Sequence, residues 1–214
     1  MGKLSKVLLS KQFITHIKRK EEIEAINLYQ ENTNSIDINF IDNITEESCI
    51  MLSIENKLRH LTSLLKRDPR LQKDYQNSDG ETAISYSASQ GDLLTMYYLI
   101  KIGAKTNVVN NDNSTILHLS VTSQNAEVLE LCHKLNLPID WNGRDKLGRT
   151  AFWIATGNSE TRCLQYLASL PQIDVNLPDY LGRTPAHYLK ELPEDDEKFN
   201  ILHKLGSRFH WDGW

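Results

Sequence analysis

Cysteine is the residue type in this chain that could supply a nucleophile or a soft metal ligand. Cys49, Cys132 and Cys163 are widely spaced and form no Cys-x-x-Cys pair, the arrangement typical of structural zinc sites. Cys132 and Cys163 fall among the apolar positions of helical segments, and Cys49 opens another helix. We therefore expect buried, reduced thiols that pack as small hydrophobic side chains in a cytosol-like compartment.

The histidines indicate no catalytic centre either. His133, His203 and His210 lie in different segments, and neither a Ser-His-Asp set nor a glycine-rich phosphate loop is visible. We therefore expect no catalytic residue, no metal and no cofactor. An enzyme whose site is assembled across distant segments stays open as an alternative, because such a site leaves no local motif.

Composition narrows the class of protein further. The 24 basic and 28 acidic side chains give a net charge of −4, which argues against a dedicated nucleic-acid binder. No apolar run approaches the roughly 18 residues of a membrane span. The opening MGKLSK leads into no apolar core of a secretory signal. We expect a monomeric intracellular protein.

A repeating unit of about 33 residues organises the chain. DKLGRTAFWIA (145–155) returns as DYLGRTPAHYL (179–189). Hydroxyl residues mark five unit starts at successive steps of 34, 33, 35 and 34, namely Ser48, Thr82, Thr115, Thr150 and Thr184. A short apolar segment follows each hydroxyl, and amphipathic segments follow at 92–104, 125–137 and 160–170. Each unit therefore predicts a tight turn, a short helix, a second helix and an extended return.

The unit starts SDGETA, NSTILH, GRTAFW and GRTPAH resemble the ankyrin repeat, whose signature is Gly-x-Thr-Pro-Leu-His-x-Ala. The resemblance is strongest over residues 77–176 and weaker over the rest of 43–206. It implies an all-α solenoid of stacked helix-turn-helix units with short β-turn fingers. It also implies that His118 and His187 hydrogen-bond to a neighbouring turn. Asn113 replaces the turn glycine in one unit, and Trp153 replaces the histidine in another.

Local physical chemistry supports the same arrangement. Gly80, Gly148 and Gly182 can take the positive φ that a tight turn requires, and Asn113 is the next most tolerant residue type. The hydroxyl two residues later can cap the coming helix. A single unit cannot bury its apolar face, so neighbouring units must supply each other's core.

The predicted organisation is one solenoid domain with distinct ends. Residues 1–42 form a capping helix and a degenerate first repeat, and further repeats start near 43, 77, 110, 145 and 179 and run to 206. Ile36-Asp37-Ile38-Asn39 resembles Ile173-Asp174-Val175-Asn176 at the matching place. The basic amphipathic segment 3–20 caps the stack or, alternatively, lies on a membrane surface. The aromatic tail 207–214 covers the last repeat through Phe209 and Trp211 or docks a partner.

The ankyrin resemblance implies a protein-binding adaptor that contacts its partner through turn tips and the solvent-facing ends of inner helices. Glu191 and Leu192 occupy such an end in the last unit. The candidate contact residues carried over to this chain are Asp79, Glu81, Gln90, Asp112, Ser123, Lys146, Leu147, Arg149, Asn158, Tyr180, Leu181 and Arg183.

The later turn tips are basic and apolar, whereas the earlier ones are acidic and small. Arg149, Tyr180 and Arg183 therefore predict a partner segment with acidic and apolar side chains. Alternatively, Leu147 and Leu181 pack tip against tip. Other functions in view are an effector that targets a host protein, an enzyme with a site on the concave face, and a membrane-surface regulator.

Overall fold

The computed structural model describes residues 5–190 and 196–206, without the side chains of residues 188–190. The expectations for Glu191, Leu192, Phe209 and Trp211 lie outside these residues. Helices and turns make up the described part, where the one β-type pairing is an isolated bridge between Ile41 and Ser48. The chain divides into two compact units, Met1–Lys105 and Thr106–Trp214. The predicted all-α repeat fold class is confirmed.

The first unit consists of three helical hairpins. Inner helices α1, α3 and α5 pack in sequence, and each is followed by an outer helix that packs against it, α2, α4 and α6. The bounds are α1 Lys6–Lys18, α2 Glu22–Glu31, α3 Cys49–Glu55, α4 Arg59–Leu65, α5 Ala83–Gln90 and α6 Leu93–Lys101.

The second unit repeats the pattern with a different last member. Inner helices α7 and α9 pack together, and a 3-10 helix packs against α9 as the third inner element. Outer helices α8, α10 and α11 follow. The bounds are α7 Ile116–Thr122, α8 Ala126–Lys134, α9 Ala151–Gly157, α10 Arg162–Ala168, the 3-10 helix Pro185–Lys190 and α11 Glu197–Lys204.

Hydroxyl caps begin the inner helices, as the sequence predicted. The side chains of Ser48, Thr82, Thr115 and Thr150 each accept a backbone N–H from the first turn of the following helix. Such a cap stabilises a helix by about 1 kcal/mol. Helices of seven or eight residues are marginal alone, so these caps help to fix where each one starts.

The turn before each cap takes the expected left-handed backbone. Gly80, Gly148 and Gly182 have φ of 76°, 80° and 77°, and Asn113 has φ of 56°. In the first such turn the position is held by Glu46, also at φ 56°. In that first turn glutamate thus takes the place of glycine, at a cost in backbone strain of about 1 kcal/mol.

A small residue five positions after each cap lets the inner helices approach closely. Ser53, Ser87, Ser120 and Ala155 are all fully buried. Each of the three serine hydroxyls donates to a carbonyl of its own helix, at 2.8–2.9 Å. These buried hydroxyls therefore satisfy their donors within their own helices, and Ser53 also accepts from the Thr62 hydroxyl of α4 at 2.9 Å.

The basic N-terminal helix is the inner helix of a complete hairpin. Leu9, Phe13, Ile14 and Ile17 of α1 are buried, and α1 packs against both α2 and α3. Phe13 stacks on Tyr29 of α2 with ring centroids 6.0 Å apart. The predicted capping helix and degenerate repeat are thus one structural element, and most of the apolar face of α1 is already covered.

The described return segments contain turns and no strand, where the sequence led us to expect an extended return. In each of three returns an aspartate carboxylate accepts the backbone N–H two residues later, from Asn39, Asn142 and Asn176. The side chain of Asn142 then donates to the Gln172 carbonyl at 2.8 Å and accepts from the Asp174 N–H at 2.9 Å. Asparagine therefore joins successive returns without a β-ladder.

Candidate protein-interaction surface

The finger at residues 145–149 is built around one buried aspartate. Oδ1 of Asp145 accepts the backbone N–H groups of Leu147 and Arg149, both at 2.9 Å. Oδ2 accepts Nε of Arg149 at 2.8 Å and lies 2.7 Å from a terminal guanidinium nitrogen. The carboxylate thus holds both the turn and the arginine, and Arg149 carries little uncompensated charge.

The finger at residues 179–183 has the same construction. Asp179 accepts the N–H groups of Leu181 and Arg183 at 2.9 Å, and its other oxygen accepts Nε of Arg183 at 2.8 Å. Burial alone would raise the pKa of Asp179, but the hydrogen bonds from Arg183 and the turn amides outweigh it and lower that pKa. The finger is therefore held by an ionised, internally paired carboxylate.

Backbone hydrogen bonds join successive fingers of the second unit. The Lys146 N–H donates to the Asp112 carbonyl at 2.8 Å, and the Tyr180 N–H donates to the Leu147 carbonyl at 3.0 Å. Lys146 and Asp112 also form a side-chain ion pair. A Cβ at Gly148 would lie 2.6 Å from the Tyr180 nitrogen, so this glycine is required for the close approach as well as for its positive φ.

Trp153 performs the role of the histidine that it replaces. The ring Nε2 of His118 lies 3.0 Å from the Arg149 carbonyl, at the base of the next finger, which confirms the hydrogen bond implied for His118. The indole Nε1 of Trp153 donates to the Arg183 carbonyl at 2.9 Å, one repeat further on. Either ring therefore presents a nitrogen to a backbone carbonyl at the base of the next finger, about one repeat later in the chain.

Two arginines flank the Trp153 ring. The guanidinium carbons of Arg149 and Arg183 lie 5.7 and 5.6 Å from its centroid, within the range of cation–π attraction. Trp153 is only 6% exposed. The arginines of the two later fingers therefore share one buried aromatic ring, and the fingers are held as a pair.

Three large apolar side chains project from these paired fingers. Leu147 is 48% exposed, Tyr180 is 66% exposed and Leu181 is 77% exposed. The guanidinium of Arg144 lies 6.0 Å from the centre of the Tyr180 ring. We call Leu147, Tyr180 and Leu181 the apolar tip patch. Their exposure leaves much of the patch open to solvent.

The remaining candidate residues of the second unit lie at helix ends. Ser123 is exposed after α7. Asn158 follows α9, donates from Nδ2 to the Val121 carbonyl at 2.6 Å and accepts a hydrogen bond from Lys198. Asn158 therefore joins two inner helices and the start of α11, a structural task that its position in the motif did not reveal.

The other three candidates belong to the first unit. Asp79 and Glu81 lie in the finger after Asn77, whose side-chain oxygen accepts their backbone N–H groups at 3.1 and 2.8 Å. Gln90 is the exposed last residue of α5. The sequence thus predicted contact residues in both units, and the structure brings Asp112 and the six candidates of the later fingers together in the second unit.

The three cysteine thiols are buried and unactivated. Burial raises the pKa of Cys132 to about 12 and that of Cys163 to about 11, and it also raises the pKa of Cys49. Burial lowers the pKa of His118 and so favours its neutral form. Among the described residues no three His, Cys, Asp or Glu side chains are grouped to hold a metal ion. No helix of that part is long and apolar enough to cross a membrane.

A family model of ankyrin repeats, in three copies, matches residues 50–137. Residues 50–137 therefore match ankyrin repeats. Within these residues the inner helices, outer helices and turns described above correspond to the parts of that repeat, and ankyrin repeats are protein-interaction modules in general. The resemblance read from the sequence is therefore confirmed.

Two kinds of relative share parts of these ankyrin repeats. The Saccharomyces cerevisiae protein named Target of rapamycin complex 2 subunit AVO2 is 28% identical over 140 residues, which cover 64% of this chain and 32% of the yeast protein. The human Ankyrin and armadillo repeat-containing protein is 33% identical over 79 residues, 36% of this chain and 6% of that protein. The mouse protein of the same name is 32% identical over 79 residues. The chain thus spans a third or less of these relatives.

Proposed function

We propose that the chain is a non-catalytic adaptor that binds a partner protein through the fingers of its second unit. The observation that carries this proposal is the apolar tip patch. Monomeric proteins rarely present large apolar side chains together on a rigid protrusion unless they contact something. A turn tip also has no geometric need for leucine or tyrosine.

The fingers are preorganised for such contact. Each is held by a buried aspartate, the two are joined by the Tyr180–Leu147 backbone hydrogen bond, and both arginines lie beside Trp153. A surface that is rigid before binding loses less conformational entropy in the complex. The apolar tip patch can therefore contribute to affinity with little ordering cost.

The internal pairing of Arg149 and Arg183 changes the partner expected from the sequence. Each guanidinium is bound by a buried carboxylate of its own finger, and Lys146 is paired with Asp112. These fingers therefore present less net positive charge than their composition indicates. We propose that the partner segment is chiefly apolar, with polar groups at its edges.

The yeast relative is named as a subunit of a complex, which is in line with an adaptor role for this chain. The membrane-surface alternative has less support, because α1 buries Leu9, Phe13, Ile14 and Ile17 within the first unit. No specific observation favours an enzyme or a host-targeted effector over the adaptor.

Affinity capture with matched surface variants tests the proposal. Leu181→Ser and Leu147→Ser/Leu181→Ser remove apolar side chains from the patch, and Leu94→Ser is the control because Leu94 is 79% exposed in the first unit. We expect the patch variants to bind a captured partner about tenfold or more weakly, which is the cost of a hot-spot residue. Leu94→Ser should bind like wild type.

Two measurements decide the outcome. Quantitative mass spectrometry of the captured proteins identifies those that wild type and Leu94→Ser retain, and circular dichroism checks that every variant is folded. Equal capture by wild type and all three folded variants would refute a contact role for the patch. Charge reversal of Arg149 or Arg183 is a poorer test, because it would place two carboxylates together at the base of a finger.

A further inference from the structure

A polar groove in the first unit has no part in the proposal above. It measures about 530 Å³ and lies between the first two fingers and the helices α3 and α5. The charged side chains that line it are Lys18, Glu47, Glu55 and Asp79, and Tyr86 lines it as well. Three carboxylates and one ammonium group therefore face this space.

Glu47 is the unusual member of this set. Its exposure is 6%, and its carboxylate accepts a hydrogen bond from the Tyr86 hydroxyl at Oε1. Within residues 5–190 and 196–206 the structure shows no salt bridge to Glu47 and no donor to its other oxygen, Oε2. A carboxylate can accept about four hydrogen bonds, and burial without a cation is unfavourable. The side chain that carries this unpaired oxygen is one of those that line the groove.

The one ammonium group in the groove is already occupied. Nζ of Lys18 lies 3.0 Å from both carboxylate oxygens of Asp42. Burial raises the pKa of Glu55, and the negative charge of Glu47 raises it further. Burial raises the pKa of Tyr86, and the negative charges of both glutamates raise it further. The positive charge of Lys20 opposes these effects at Glu55 only in part. With three carboxylates and one already paired ammonium group lining it, the groove carries net negative charge.

The matching finger positions of the second unit form ion pairs that Glu47 lacks. Glu47 directly precedes a helix cap, as do Arg149 and Arg183, and each of those arginines is paired with a buried aspartate of its own finger. The charge at that position is balanced within the second unit. In the described part of the first unit Glu47 forms no such ion pair, and its carboxylate accepts only the Tyr86 hydroxyl.

We propose that this groove binds a basic side chain of the partner protein, with Glu47 and Glu55 as its carboxylate contacts and arginine preferred over lysine. Arginine fits because its planar guanidinium can bridge two carboxylates and stack on an aromatic ring such as that of Tyr86. The inference rests on the proposed function, since the side chain belongs to a partner.

A small probe tests the groove without knowledge of the partner. The full chain, labelled with ¹⁵N, is titrated with acetyl-arginine amide, acetyl-lysine amide and the uncharged acetyl-citrulline amide while amide shifts are followed by NMR. We expect saturable shifts at Glu47, Glu55 and Tyr86, stronger for arginine than for lysine and absent for citrulline.

Two double variants that remove the same amount of charge distinguish binding at the groove from non-specific electrostatic attraction. Glu47→Gln/Glu55→Gln keeps an acceptor for Tyr86 and should weaken arginine binding about tenfold, the effect of losing a charged hydrogen-bond partner. Glu24→Gln/Glu31→Gln changes two exposed carboxylates and should leave binding unchanged. Glu55→Gln alone serves if the double variant does not fold.

Shifts spread evenly over acidic residues, or equal binding by the two double variants, would overturn the groove as a site. Equal response to citrulline would do the same. The outcome is separate from the proposed function, because capture through the apolar tip patch is measured with unmodified Glu47 and Glu55. If the chain captures its partner but binds no acetyl-arginine amide, the groove proposal is refuted and the proposed adaptor function is not.

Discussion

Two glycines with nearly the same backbone conformation isolate the contact between the later fingers. Gly148 has φ +80° and Gly182 has φ +77°. A Cβ at Gly148 would lie 2.6 Å from the Tyr180 nitrogen and 2.7 Å from two carbons of its ring, whereas a Cβ at Gly182 would meet nothing within 4 Å. Gly182→Ala therefore carries the backbone cost alone, and Gly148→Ala adds the clash.

The expected losses follow from these geometries. Positive φ costs an alanine about 1 kcal/mol in either turn. At Gly148 the clash adds about 1–3 kcal/mol, the usual cost of overpacking. If the fingers separate to relieve it, the Tyr180–Leu147 hydrogen bond is lost at about 1 kcal/mol. We thus expect Gly148→Ala to lower the free energy of unfolding by about 2–4 kcal/mol and Gly182→Ala by about 1 kcal/mol.

Urea unfolding followed by circular dichroism measures the two losses, and equal m-values show that they can be compared. Amide hydrogen exchange gives a local readout, since the Tyr180 N–H should exchange faster in Gly148→Ala than in Gly182→Ala. Equal losses to within about 0.5 kcal/mol, with Tyr180 equally protected in both, would show that the close finger approach contributes nothing.

Two further predictions concern Trp153 and Asp68. Trp153→Phe should lower the free energy of unfolding by about 1 kcal/mol because the Arg183 carbonyl loses the indole donor and keeps only the Asp179 N–H, and Trp153→His should recover part of that loss; equal urea midpoints for the two variants would contradict this. Arg70 binds Asp68 and, with Tyr29, lowers its pKa from 3.8 to about 2. The resulting stability, about 2 kcal/mol, is present above pH 4 and lost as the pH falls towards 2. Asp68→Asn should flatten acid unfolding in that range, and an unchanged acid profile would disprove it.

The parts of the fold that depend on neighbouring residues could be read from the sequence. The period, the hydroxyl caps and the positive-φ turns are all local, and a solenoid repeats them in each unit. The finger anchors could also have been found, because Asp145 and Asp179 stand four residues before Arg149 and Arg183. The helices and turns could be predicted from short stretches of sequence because each repeat makes the same contacts as its neighbours.

The candidate site could not be predicted in full from the sequence, because it depends on contacts between different repeats. Trp153 looked like a departure from the motif, yet its N–H reaches Arg183, thirty residues later. Glu47 belongs to no motif of the sequence, yet it is buried against Tyr86 with one oxygen unpaired. The sequence by itself determined the repeat and its turns, because short-range backbone preferences set them. Only the tertiary structure decided which charges are paired and which apolar side chains stay exposed, because burial and distance arise when repeats pack together.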